Sequence, residues 1–274
     1  MGHRDRFWRF ETCVGESGRS RVVEWQLPSL TRQLPWIDTI VDATGATPFE
    51  SDEELAPITG YDAWAPSYDD DGNPLTALEE PAARAWYGDV AGRRVVDVGC
   101  GTGRHTAALL AAGAMVVGLE PSRGMLARAR AKLTGGDVVW IRHAFPAPLP
   151  FLDAQFDLAM LGLVAEHLDD LAEALRELAR ICAPGGRLIL SALHPDRTAA
   201  GQRARFIDPA TGLRRPLRTI HRRVDDYLDA ARDAGWTLIE QRALIADAGL
   251  AARLPRAARY VDQNLGWIGH WKKT

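Results

Sequence analysis

The sequence predicts an α/β fold: a doubly wound sheet, mostly parallel, with an antiparallel edge strand and an N-terminal β-hairpin-like extension. Three observations predict it. Short apolar runs alternate with amphipathic stretches from about residue 75, glycines close several of those stretches, and the last two strand-like runs, WTLIEQRALIA and GWIGHWKKT, have no long helix between them. Repeated alternation of this kind gives a parallel sheet covered by helices on both faces, whereas two closing strands without a crossover helix read as an antiparallel pair.

Residues 1 to 57 read as an N-terminal extension and residues 58 to 274 as the main domain. RFWRFETCV and RVVEWQL alternate large apolar and polar residues around GESG, the pattern of a hairpin. An acid-rich connection, DATGATPFESDEELAP, then leads into YDAWAPSYDDDGNPL. LTALEEPAARAWYGDV has helical spacing, VVDVG is a short buried strand, and RHTAALLAAG is a helix with Gly113 at its C′ position. MVVGLE is the next strand, SRGMLARARAKL a helix capped by Ser122, DVVWIRH a third strand and FDLAMLGLV a fourth. In DDLAEALRELARIC, Leu171, Leu175, Leu178 and Cys182 share one face at three- and four-residue steps, and APGGR stops this helix before the strand RLILSAL. VDDYLDAARDAGW is the last helix before the closing pair. The whole is a Rossmann-like winding, in which ligands bind at the carboxyl ends of the strands.

Composition narrows the partners. The chain has 274 residues, 46% of them hydrophobic, and a formal net charge of -3, which gives no global attraction to nucleic acid or to an anionic membrane. Cys13, Cys100 and Cys182 are odd in number, far apart and without metal-ligand spacing, so neither a disulfide framework nor a metal site is expected, and a reducing cytoplasm fits. MGHRDRFWRFE has no apolar core of a signal segment, and no apolar run is long enough to span a bilayer. A small-molecule partner is expected, without membrane or nucleic acid; a homo-oligomer is compatible with the sequence.

The stretch from 95 to 122, VVDVGCGTGRHTAALLAAGAMVVGLEPS, carries five glycines and two acids around two apolar runs. Glycines at a strand-to-helix turn admit positive φ and a close ligand approach, and the helix start offers unpaired N–H groups. A dinucleotide fingerprint would need a small residue where this chain has Arg104, so a pyrophosphate is disfavoured. Asp97, at the strand end, would repel a pyrophosphate but attract an ammonium, and Glu120, 23 positions on, is placed to accept from ribose hydroxyls. An amine and a ribose on one ligand describe S-adenosylmethionine.

At these residues the sequence resembles the class I S-adenosylmethionine-dependent methyltransferases, in particular the small-molecule group, over about residues 61 to 195. VVDVGCGTG is similar to that family's glycine loop, GLEPS to its ribose-binding strand end, LPFLDAQFDLAMLGLVAEHL and APGGRLILSALHP to its fourth- and fifth-strand regions, and YDAWAPSYD to its N-terminal tyrosine motif. The resemblance implies S-adenosyl-L-methionine as cofactor. It also implies contacts from Tyr68 to the methionine carboxylate, from Asp97, Gly99 and Gly101 to the methionine moiety, from Glu120 to the ribose, from Met125 to the adenine face, and from the Leu161 backbone, with Cys100, Gly103 and Pro121 also in the cofactor site. Where the family often has Gly-Asp-Ala, this chain has Arg142-His143-Ala144-Phe145. His143 is then either an acceptor from the adenine or a surface residue, with the backbone of Ala144 and Phe145 as the other source of adenine contacts.

Methyl transfer to an oxygen, nitrogen or carbon of a small molecule is the expected activity. Where the acceptor must lose a proton, His167, His194 and Glu166 are the candidate bases, each just beyond an apolar strand. For both histidines a structural role is the competing reading. Arg197, Arg203, Arg205, Arg214, Arg215, Arg218, Arg222 and Arg223 crowd the segment after the fifth strand beside only Asp196 and Asp208, which fits an anionic acceptor or else a solvated loop. Two further functions stay open: a nicotinamide-dependent oxidoreductase, and a protein of this fold that binds the cofactor without transferring methyl.

Overall fold

The computed structural model describes residues 7–12, 21–26, 54–70, 72–208 and 214–274. Strands β1 (Phe7–Thr12) and β2 (Arg21–Gln26) pair antiparallel, with Phe7 opposite Gln26 and Thr12 opposite Arg21, as the alternating pattern predicts. Cys13, the GESG turn and most of the acid-rich connection lie outside the described residues.

The main domain opens with α1 (Pro57–Trp64) and α2 (Pro74–Arg84), whose start is capped by Asn73 accepting from the Leu75 N–H. The sequence reading carries this second helix to residue 90, but it ends at Arg84. The reason is tertiary: the carbonyls of Trp86 and Tyr87 accept from the Arg187 guanidinium, 101 and 100 residues away, and their rings turn into the core.

Strands and helices then alternate: β3 (Arg94–Val98), α3 (Arg104–Ala111), β4 (Met115–Leu119), α4 (Arg123–Lys132), β5 (Val138–Ile141), β6 (Phe156–Gly162), α5 (Leu171–Ile181) and β7 (Cys182–Leu193). Ser122 Oγ accepts from the Met125 N–H and caps α4, and Asp170 caps α5 by accepting from the Glu173 N–H. The apolar face of α5 buries Leu171, Leu175 and Leu178 against the sheet, each fully buried leucine contributing about 1.5–3 kcal/mol. APGGR does not separate helix from strand but belongs to β7; pairing with β6 jumps from Cys182 opposite Phe156 to Arg187 opposite Leu158, so these residues form a bulge.

A short α6 (Pro195–Ala199), a two-stranded β8 (Arg205–Ile207) and β9 (Arg214–Pro216), and α7 (Val224–Asp233) follow, and β10 (Trp236–Ile245), α8 (Ala248–Arg253) and β11 (Asn264–Lys273) close the chain. The seven-stranded sheet has the order β10-β11-β7-β6-β3-β4-β5. β7, β6, β3, β4 and β5 run parallel; β11 runs antiparallel to both β7 and β10, so the expected antiparallel pair closes one side of the sheet, with β10 outermost. From β3 the chain winds outward through β4 to β5, then returns to β6 on the other side of β3. That reversal opens a crevice at the carboxyl ends of β3 and β6, where residues 99–103, 120 and 163–167 gather.

Candidate functional site

The loop after β3 is a backbone construction. Gly99 and Cys100 both donate to the Leu119 carbonyl, and Gly103 donates to Cys100, so the turn is bound to the end of β4 and to itself. Gly99, Gly101 and Gly103 have φ of 69°, 55° and 84°, a region costly for other residues. Two of them play different parts. A Cβ on Gly99 would stand 2.3 Å from Val164 Cγ2, whereas one on Gly101 would meet nothing within 4 Å. Gly99 therefore permits protein packing, and Gly101 borders open space. Gly103 starts α3 with no side-chain cap, leaving first-turn N–H groups of that helix without a side-chain acceptor.

Glu120 lies beneath this loop. One carboxylate oxygen accepts from the Gly101 N–H at 2.9 Å and the other from the Ser122 N–H at 2.8 Å, tying the glycine turn to the start of α4. Burial raises its pKa to about 7, against the pull of those two N–H donors. Asp97 is buried as well; it accepts from Thr106 Oγ1 at 2.6 Å, and burial pushes its carboxyl up. Pro121 is half-buried and its carbonyl accepts from Arg142, Met125 is buried at the start of α4, and Leu161 is buried in β6 opposite Leu190. Burial also raises the Cys100 thiol well above its ordinary range, so Cys100 behaves as an inert packing group.

The segment YDAWAPSYD closes over this loop through its acids. Asp62 accepts from Ser122 Oγ at 2.6 Å and the Gly124 N–H at 2.9 Å; Asp69 accepts from Thr102 Oγ1 at 2.8 Å and pairs with Lys132. Between these anchors Trp64, Tyr61 and Tyr68 pack together with Met125, Phe206 and Leu217. The sequence reading took only Tyr68 from this motif. The two acids escaped it because their partners lie 33 to 63 residues away.

A second group that pattern reading missed stands behind the loop. Glu79 of α2 is fully buried and accepts from Ser191 Oγ at 2.7 Å, from His105 Nε2 at 3.1 Å, and from Arg104. His105 Nδ1 faces the Tyr87 hydroxyl at 2.7 Å. Arg104, which breaks the dinucleotide pattern, is thus held by a buried carboxylate, and its charge opposes the rise of the buried Tyr68 phenol.

The histidines separate by geometry. His143 is buried, so the surface reading is corrected: its Nε2 faces the Ala147 carbonyl at 3.0 Å and must donate, leaving only Nδ1 to accept. Burial lowers its pKa, so the ring is neutral. Its ring meets that of Phe145 edge-on, and Ala144 lies between them. His194 Nδ1 faces the Asp196 N–H at 3.3 Å and caps α6, so its lone pair is committed. His167 stands between two partners, the Tyr61 hydroxyl at Nε2 (3.0 Å) and the Arg218 carbonyl at Nδ1 (2.9 Å). Glu166 is buried beside it; Oε1 accepts from the Leu193 N–H, and Oε2 has no hydrogen-bond partner among the described residues.

The arginine-rich segment is largely committed to protein partners. Arg218 pairs through two bonds with Asp169, Arg222 donates to the carbonyls of Ala165, Leu168 and Asp169, Arg223 pairs with Asp226, and Arg203 with Glu54. Arg197 donates to Gln263 and lies over the Tyr260 ring, while Arg215 approaches Asp208 at 3.9 Å. Arg205 and Arg214 are exposed on β8 and β9. Among the described residues, three of the eight guanidinium groups are paired with acids outside the segment, Glu54, Asp169 and Asp226.

Residues 96–190 match the model of a family described as a methyltransferase domain. A demethylmenaquinone methyltransferase from Clavibacter sepedonicus is 41% identical over 101 residues, covering 37% of this chain and 41% of that protein. A malonyl-[acyl-carrier protein] O-methyltransferase from Erwinia billingiae is 38% identical over 110 residues, covering 38% of this chain and 41% of that protein. The chain spans about half the length of the curated relatives it matches. Among solved structures, an S-adenosylmethionine-dependent methyltransferase from Mesorhizobium loti superposes with a TM-score of 0.62 at 27% identity, over 73% of this chain and all of that one. No helix among the described residues is long and apolar enough to cross a membrane.

Proposed function

We propose, for a chain whose residues 96–190 match the model of a methyltransferase domain, that the protein is a class I S-adenosylmethionine-dependent methyltransferase and transfers a methyl group from S-adenosyl-L-methionine to a small molecule. One observation carries the reading: a buried carboxylate, Glu120, lies under a glycine turn whose Gly101 borders open space, at the switch point of the sheet. The donor set fits the cofactor. Glu120 has a second lone pair on each oxygen for ribose hydroxyls, Asp97 keeps one oxygen for an ammonium, and Tyr68 beside the Arg104 charge suits a carboxylate. Pro121 and Met125 would flank the ribose and adenine, with His143 Nδ1 and the Ala144 and Phe145 backbone at the adenine edge, and Gly99, Cys100, Gly103 and Leu161 would complete the wall. The bound cofactor supplies a methyl group on a sulfonium sulfur. The protein's share is to align an acceptor with that methyl group, keep water out and, for an O–H or N–H acceptor, hold the leaving proton.

Titration with S-adenosylhomocysteine against NADH, followed by thermal shift, tests the reading: stabilisation by the first alone is expected, and stabilisation by NADH alone would overturn it. Glu120→Ala should weaken S-adenosylhomocysteine binding tenfold or more, corresponding to about 1.5–3 kcal/mol for charged hydrogen bonds. Because the carboxyl titrates at about 7, affinity in the parent should climb between pH 6 and 8, and Glu120→Gln should flatten that climb. The sign is opposite for stability. A carboxyl raised from 4.5 to about 7 favours the folded state when protonated, so its contribution is lost as pH rises through about 7.

The acceptor's charge is a finer proposal. Arg205 and Arg214 are exposed on β8 and β9 and Arg215 approaches Asp208 only at 3.9 Å, so these three are the ones to hold an anionic acceptor. Arg214→Ala with Arg215→Ala should raise the acceptor KM, more at low ionic strength, with cofactor affinity unchanged. Equal KM values at two salt concentrations would reject an anionic acceptor. We place residues 58–274 in the transferase domain, with residues 1–57 as an extension. The protein is assigned to the cytoplasm, where the thiols of Cys100 and Cys182 stay reduced.

A further inference from the structure

We infer that Tyr61 and His167 act together as the proton-accepting pair of the transfer reaction, with the Tyr61 hydroxyl against the acceptor and the His167 Nε2 behind it. The inference rests on the methyl-transfer reading above. Neither residue is near the other in sequence: α1 brings Tyr61 onto a histidine 106 positions later, at 3.0 Å, with the two rings edge to face.

The tautomer follows from the partners. The Arg218 carbonyl only accepts, so Nδ1 carries the proton and donates at 2.9 Å. Nε2 is then the lone pair and Tyr61 O–H the donor. Burial pushes the Tyr61 phenol well up, and Tyr68, Glu166 and Glu120 push it the same way, so the hydroxyl keeps its proton until His167 takes it. This arrangement is held from outside. Arg218 is fixed by its two bonds to Asp169, and Arg222 by the carbonyls of Ala165 and Leu168, so part of the arginine-rich segment serves to aim His167. The charged and titratable groups around the ring are Tyr61 of α1, Glu166 and Asp169 of its own loop, Arg218 and Arg222 before α7, and Tyr227 of α7, whose phenol Glu166 also raises.

The position suits the reaction. Tyr61 meets the Tyr68 ring edge-on at 6.2 Å between centroids and packs in one cluster with Met125, and the charges of both Glu166 and Glu120 reach its hydroxyl. As the acceptor's lone pair bonds to the methyl carbon, the carbon–sulfur electrons stay on sulfur. The acceptor's proton passes to Tyr61 Oη, and the Tyr61 proton passes to His167 Nε2, which ends as imidazolium. No other oxidant, reductant or base is required. Sequence inspection finds His167 as one of three candidates; Tyr61 is invisible there as a partner.

Nitrogen-15 NMR of the ligand-free protein tests the geometry. His167 should show the Nδ1–H tautomer, and Tyr61→Phe, which keeps the ring stacked on Trp64, should shift Nε2 toward the value of an unbonded nitrogen. Transfer of labelled methyl from S-adenosylmethionine into a clarified cell extract tests the chemistry. Tyr61→Phe and His167→Gln should each slow it on the order of 10²-fold, while S-adenosylhomocysteine affinity by calorimetry stays within twofold of the parent. An Nε2–H tautomer, or a Tyr61→Phe rate equal to the parent, would overturn the pair alone. A parent that neither binds S-adenosylhomocysteine nor transfers methyl would overturn the methyl-transfer reading and the pair with it.

Discussion

Gly101→Val is expected to leave a folded protein that no longer binds S-adenosylhomocysteine, with affinity down by more than 10²-fold in calorimetry. The backbone there has φ of 55°, which disfavours a β-branched residue by about 1–2 kcal/mol, but a Cβ would meet no protein atom within 4 Å. The side chain would stand in the space proposed for the methionine moiety, so the loss falls on binding far more than on the fold. Gly99→Val is the contrasting case. Its Cβ would strike Val164 Cγ2 at 2.3 Å, so the turn itself must move and the melting temperature should drop as well. Retention of parental affinity by a folded Gly101→Val would remove the glycine turn from the binding site.

Glu79→Ala should be the most destabilising single change near the site, lowering stability by about 3–5 kcal/mol and the melting temperature by about 10 °C. The carboxylate is wholly buried and serves Arg104, His105 and Ser191 together, so its removal strands a half-buried guanidinium and two buried polar side chains. Burial opposes its ionisation, but the His105 and Arg104 charges and their hydrogen bonds outweigh that and hold its pKa at about 2. The corresponding stability is fully present above 4.5 and is lost as pH falls through about 2. Denaturant melts of parent and Glu79→Gln at pH 7 and pH 3 would measure it. A Glu79→Ala protein within 1 kcal/mol of the parent would show that the cluster is not a stabilising unit.

Recovery of the fold from sequence followed the range of the interactions involved. The strands VVDVG and MVVGLE were legible because a strand buried on both faces needs an unbroken apolar run, and Leu171, Leu175 and Leu178 because a helix on a sheet needs a three-to-four step. The end of α2 was not legible. Nothing in AARAWYGDV announces that Arg187 will take the carbonyls of Trp86 and Tyr87, and local propensity alone extends the helix. APGGR misled in the other direction: its glycines read as a stop, yet the sheet absorbs them as a bulge in β7 because β6 supplies partners on both sides of it.

By itself the sequence determined the alternating architecture, the glycine turn and the two acids at strand ends. Each is a local requirement: side-chain period, positive φ, and the strand end at which a residue falls. Only the tertiary structure decided which polar groups meet. Tyr61 finds His167 across 106 residues and Glu79 finds Ser191 across 112, while Asp169 and Asp226 take arginines that the sequence left open to a ligand. The physical reason is that a buried or half-buried donor must be satisfied by whatever acceptor the packed sheet and helices bring within about 3 Å, and that pairing is set by topology rather than by neighbouring residues.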